Sequence, residues 1–167
     1  ALFFRFRLGS ILVPFINPCD DAGFDITWIS PIGRQNIIGH NQAITASHAQ
    51  VIQLESSDIG TTLETLSLEK GWHRAAIGTE GEWINDFRQG LKALDIIEYQ
   101  NEIENWKSAL FHEVDVGVTH VLAGIADTGA LVLWPSVYEP RTLSLVPPCH
   151  IAVMRVSTLH NHFLEVM

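Results

Sequence analysis

A chain of 167 residues with 47% apolar and 17% charged residues has a globular composition and the length to bury one core without disulfide or metal support. Its formal net charge of -9 argues against the positive footprint that nucleic acid or an anionic membrane surface requires. Two cysteines, Cys19 and Cys149, are too few to ligate an iron–sulfur cluster and lack structural-zinc spacing. They read as free thiols in a reducing, cytoplasmic setting, with a single disulfide as the alternative.

No apolar run reaches the roughly 18 residues of a membrane-spanning helix, so no span is expected. Residues 1–14 are apolar, but Arg5 and Arg7 interrupt them and no small-residue cleavage site follows, unlike a signal peptide. The first residue is Ala, which reads as a trimmed start. Residues 14–33 are rich in turn formers, among them Pro14, Pro18, Asp20, Asp21, Gly23, Pro31 and Gly33. They read as a linker, a lid or a junction, so 1–34 is expected to be irregular.

A regular rhythm begins at Gln35. Small and apolar residues over 36–49 fit a helix, and 51–54 a short buried strand. Asp58 is placed to cap a helix running to Lys70, with Ile59, Leu63 and Leu66 at helical spacing and Gly71 as terminator. A strand follows at 75–77. Trp83, Ile84, Phe87, Leu91 and Leu94 recur at three-to-four spacing and predict a helix over 80–94. Ile96 and Ile97 open a third strand, and 101–110 predicts another helix. Strands alternating with helices argue for βαβ units: an α/β domain with a mainly parallel sheet flanked by helices.

After Val114 the pattern becomes strand-rich. Residues 114–122 read as β, 125–129 as a tight corner, 130–134 and 151–154 as apolar strands. Ser157 is placed to cap a last helix over 158–167.

Three segments here carry a resemblance. They are Ala126-Asp127-Thr128-Gly129 opening an apolar strand, Arg141-Thr142-Leu143-Ser144-Leu145-Val146-Pro147, and His150-Ile151 entering the next strand. In this order and spacing they resemble the lactate utilization protein C family, whose domain is the LUD domain, over about 35–167. The resemblance implies an α/β fold related to the NagB/RpiA/CoA-transferase-like group. It also implies a component of bacterial L-lactate oxidation to pyruvate. Iron–sulfur clusters are then expected only in partner proteins, with no cofactor in this chain. Family members carry a Gly/Pro-rich loop and further strands beyond the position of Met167, so the domain is expected to be incomplete at that end.

The same segments supply the candidate site. A corner at Asp127, Thr128 and Gly129 presents backbone N–H groups suited to a carboxylate or phosphate. Asp127 is a candidate to orient His150 or pair with Arg141, or simply to bond its own turn. Arg141 precedes the uncharged residues 143–154, and its guanidinium suits a small carboxylate; an ion pair with Asp127 or Glu139 is the plainer assignment. Ser144 and Thr142 are further donors. Ser144 lacks a G-x-S-x-G context and so is no nucleophile. His150 is a candidate general base or anion donor, against a structural His entering a strand. Cys149 and His150, adjacent on a strand, should point to opposite faces. His160 and His162 lack a third metal ligand. His40, His48, His73, His112 and His120 read mostly as surface or structural, and the five tryptophans as packing groups, except Trp134, which is placed to wall a pocket.

Three functions stay open on these residues: a component of lactate oxidation that binds a small anion or acyl group, a non-catalytic assembly or regulatory subunit of that system, and an independent transferase or cyclo-ligase-like enzyme.

Overall fold

The computed structural model describes residues 11–12, 24–29, 49–99 and 103–166. Among the described residues ten strands form two sheets. Strands β2 (Phe24–Ile29), β3 (Ala49–Leu54), β4 (Arg74–Ile77), β5 (Asp95–Glu98), β6 (Val116–His120) and β9 (Cys149–Arg155) build a six-stranded sheet in the order β3-β2-β9-β6-β4-β5. Every pairing in it is parallel. Strands β1 (Ile11–Leu12), β7 (Ala123–Ile125), β8 (Ala130–Leu133) and β10 (Leu159–His160) form a smaller sheet, β1-β8-β7-β10. Helices α1 (Ile59–Lys70), α2 (Ile84–Gly90) and α3 (Ile103–His112), and the single turn α4 (Thr142–Leu145), complete the described elements. This is the expected α/β class with a parallel sheet flanked by helices.

Alternation along the central strands divides the core. Ala75, Ile77, Val116, Val118, Cys149, Ile151 and Val153 pack with Ile59, Leu63 and Leu66 of α1 and Ile84 and Phe87 of α2. The opposite residue of β4, Ala76, packs with Leu110 of α3 and Leu143 of α4. Next to it, Ala152 and Met154 of β9 meet Leu131 and Leu133 of the small sheet. The six-stranded sheet is thus covered on both faces, which explains why its inner strands β4, β6 and β9 are mostly apolar.

Helix α1 starts after Asp58 and stops at Gly71, the positions its sequence indicates, although the Asp58 side chain makes no capping hydrogen bond. Gly71 closes it with φ 67, and the Trp72 N–H donates to the Ser67 carbonyl at 3.1 Å. No atom lies near the position of a Gly71 Cβ, so only the left-handed backbone opposes a side chain there. Gly71→Ala should therefore cost about 1 kcal/mol in denaturant unfolding, and Gly71→Asn less. Equal stability of wild type and the Ala variant would contradict this account of the helix end.

Three expectations are corrected. Residues 14–33 contain β2, which lies between β3 and β9 and pairs with both. The helix over 80–94 is confined to Ile84–Gly90, because residues 80–83 turn toward His120 and the Trp83 N–H is spent on that ring. No helix spans 158–167: Val156–Thr158 and Phe163–Glu165 are 3-10 turns, and Leu159–His160 adds to the edge of β7 in parallel. The open edge of β7 rewards an extended segment more than a short isolated helix would. The helix expected over 36–49 lies outside the described residues, apart from Ala49, which opens β3.

Candidate functional site

Ligands of open parallel sheets bind beyond the carboxyl ends of the strands, where neighbouring connections leave in opposite directions. Here that point lies between β4, which continues outward to β5, and β6, whose chain returns toward β9. The loop joining β8 to β9 occupies it. The Thr79 N–H donates to the Tyr138 carbonyl at 2.9 Å. Glu139 accepts the His120 N–H at 3.0 Å and faces His120 Nδ1 at 2.6 Å. His120 Nε2 accepts the Trp83 N–H at 3.2 Å, so the ring hydrogen sits on Nδ1 and points at Glu139. The ring stacks on Trp83 at 5.5 Å and tilts against Phe87 at 4.8 Å. His120 is therefore a structural clamp that holds Glu139 and the loop around it.

Beside this clamp lies a shallow surface depression lined by Thr119, Leu133, Trp134, Glu139, Arg141 and Ser144 among others. Two polar residues of its lining, Thr119 and Ser144, are buried. Thr119 Oγ1 lies 2.7 Å from His150 Nε2, and the Ser144 hydroxyl donates to the Arg141 carbonyl at 3.0 Å. Arg141 is exposed on the rim and forms no ion pair among the described residues. The plainer assignment for it, a pair with Asp127 or Glu139, is not what the structure shows. Trp134, 59% exposed, stands over the cleft as a wall.

His150 lies on the sheet face away from Cys149, as strand alternation requires: Cys149 packs with α1 and α2, while His150 bonds Thr119. Complete burial pushes the imidazole down to about 4. It is uncharged near neutral pH and a weak proton acceptor there.

Asp127, Thr128 and Gly129 sit at the far end of the β7–β8 hairpin. Strand β8, four residues long, separates them from Trp134 and the cleft by about 14 Å at the usual rise per residue. Gly129 does adopt the left-handed conformation, φ 69, that the corner needs. Four of the corner's backbone donors are already bonded: Ala126 N–H to the His160 carbonyl, Asp127 N–H to the Asn161 carbonyl, Gly129 N–H to the Ile125 carbonyl and Ala130 N–H to Thr128 Oγ1. Asp127 faces His162 Nδ1 at 3.1 Å. The expected residues thus fall into two groups. Arg141, Ser144 and His150 come together; Asp127, Thr128 and Gly129 form a separate corner fastened to the chain after β10. Thr119 escaped the sequence reading, although a polar residue closing the apolar run Val116-Gly117-Val118 was the available signal.

Among the described residues no group of three or more His, Cys, Asp or Glu is placed to hold a metal, and no helix is long and apolar enough to cross a membrane.

A parallel sheet covered on both faces defines an open-sheet α/β domain. The chain belongs to the LUD-domain family, whose profile matches residues 35–167. The resemblance to lactate utilization protein C read from residues 114–154 fits that membership. A curated relative, an uncharacterized protein of Neisseria meningitidis serogroup B, is 43% identical over 70 residues; these cover 42% of this chain and 30% of the relative. The match therefore spans under a third of that relative's length. No solved structure matches the chain.

Proposed function

We propose that this LUD domain is a cytoplasmic component of bacterial L-lactate oxidation that binds a small monocarboxylate in the cleft below Trp134. Iron–sulfur partner proteins carry the electrons. Arg141 carries this reading: an exposed guanidinium without an ion pair among the described residues, beside the buried hydroxyl groups of Thr119 and Ser144. Glu139 adds selectivity, because a carboxylate already bound to His120 repels multiply charged anions and tolerates a single charge held by Arg141.

Thermal unfolding with L-lactate, pyruvate, CoA and phosphate tests it. A ligand near 100 times its dissociation constant stabilises by about 2.7 kcal/mol, a shift of several degrees. A monocarboxylate should produce the shift, and phosphate should not. Arg141→Ala should weaken the monocarboxylate about 10- to 100-fold, with stability changed by no more than about 0.5 kcal/mol. If no carboxylate shifts the transition at saturating concentration, the binding role falls.

A second reading, a non-catalytic assembly subunit, has its own support. Leu122, Trp134, Val137 and Tyr138 are 49%, 59%, 65% and 47% exposed around one end of the hairpin and the loop after it. Exposed apolar groups gathered in this way suit a protein partner. Ligand-independent association with an iron–sulfur partner, lost on Trp134→Ala, would favour it.

A further inference from the structure

Residues 78–83 join β4 to α2 and lie against His120 at the carboxyl end of β6. The contact is close. Gly81, at φ 141, sits so near the ring that a Cβ on it would overlap the imidazole. The Trp83 N–H donates to His120 Nε2 at 3.2 Å, and the Trp83 ring stacks on the imidazole with an interplanar angle of 11°. On its other nitrogen the same ring holds Glu139, so one imidazole fastens two segments that are far apart in sequence. Among the described residues the charged groups around it are Glu139, in direct contact, the Arg155–Glu82 pair beside Trp83, the Arg88–Glu98 pair on α2, and Glu80, exposed in the segment itself.

We propose that His120 is a proton-operated latch: its neutral ring holds residues 80–83 closed over the edge between β4 and β6, and a second ring proton releases them while Glu139 stays bound. Neither partner can change its role. A main-chain N–H only donates and a carboxylate only accepts, so Nε2 is bare and Nδ1 carries the hydrogen. The imidazolium has a hydrogen on both nitrogens. Its Nδ1–H still suits Glu139, which also faces the new charge. Its Nε2–H meets the Trp83 N–H, donor against donor, and the amide loses its acceptor. Trp83 is the N-cap residue of α2, so its amide lies before the helical ladder and has no bond to gain there. Release uncovers Trp83 and Phe87, 6% and 0% exposed in the closed form, at the edge where open parallel sheets take ligands. Burial of these two rings favours the closed form, so the proton makes local opening more frequent without holding the segment open. The Thr79 N–H remains on the Tyr138 carbonyl at 2.9 Å and serves as the hinge. The latch does not depend on what the depression beside it binds.

Amide hydrogen exchange of the isotope-labelled full chain, followed by NMR between about pH 8 and about pH 5, tests the latch, because the same sample reports protonation of the His120 ring. Rates are compared with those of unstructured peptides at each pH, which removes the direct effect of pH on exchange. Protection of the Trp83 amide should fall about tenfold as the ring takes up its second proton, the worth of one good hydrogen bond, while the amides of β9 keep theirs. The amide of His120→Gln can accept from Trp83 and donate to Glu139 without titrating, so in this variant Trp83 should stay protected across the whole range. Should the variant fail to fold, the wild type alone decides. Trp83 protection that stays constant while the ring protonates overturns the latch. So does a ring that gains no second proton while the chain is folded. A loss shared equally by β9 is global unfolding, and a loss that persists in His120→Gln belongs to another group; either outcome overturns it as well.

Discussion

Stability should fall as pH drops from about 6.5 toward about 4, and replacing His150 should remove much of that fall. The ordinary imidazole value of 6.5 applies to the unfolded chain, whereas burial holds His150 at about 4 in the fold. Between these values the unfolded state takes up a proton that the native state refuses. Stability therefore rises with pH across the window, is fully developed above it, and declines on acidification. The gap corresponds to about 3 kcal/mol, and full burial leaves little solvent screening to reduce it. Urea unfolding of wild type and His150→Gln at several pH values checks this, because the difference between the two curves cancels every other titrating group. The glutamine amide can still reach Thr119, so the variant keeps a polar partner for the hydroxyl. The two curves should converge toward pH 4; parallel curves would show that His150 is not the buried base described here.

The local parts of the fold were legible because local rules produce them. Leu63 and Leu66 on α1, the stop at Gly71 and the turn at Gly129 follow from periodicity and backbone freedom, and the structure has all of them. The opposed faces of Cys149 and His150 follow from strand alternation alone. What was not legible depends on distant pairing. Phe24–Ile29 is flanked by prolines, glycines and aspartates that suggest a loop, and only its neighbours β3 and β9 make it a strand. Leu159 and His160 extend because β7 has an open edge.

The site divides in the same way. Arg141 and Ser144 lie within one turn of each other, so the sequence already placed them together. His150 meets the cleft only through Thr119, a contact across two strands that are 31 residues apart in sequence at this pair. Asp127 was assigned to the same site because it is near in sequence, but β8 carries the chain away from it. The antiparallel hairpin puts the corner at one end and the cleft loop at the other. Proximity along the chain was the wrong measure there, since an extended strand covers distance faster than any other element.

Gly117→Val should be among the most damaging single substitutions, lowering stability by about 3 kcal/mol or more. Strand propensity predicts the opposite, because valine is a strong strand former and glycine a weak one. Packing decides the sign. Gly117 is buried in β6, paired with Ala76 on one side and His150 on the other. A Cβ there would overlap the Leu143 carbonyl oxygen and come within 3.0 Å of Pro147 Cγ. Leu143 belongs to α4, so the bare backbone of Gly117 is what allows that turn to lie directly on the sheet. The obstructing atom is main chain and cannot rotate away; the whole turn must lift. Ser144 rides on it and Arg141 begins it, so the cleft deforms with the core. The variant should show a lower denaturant midpoint and, at a temperature where it remains folded, weaker carboxylate binding than the wild type. Stability within about 0.5 kcal/mol of the wild type would mean that α4 has room to move and does not fix the cleft.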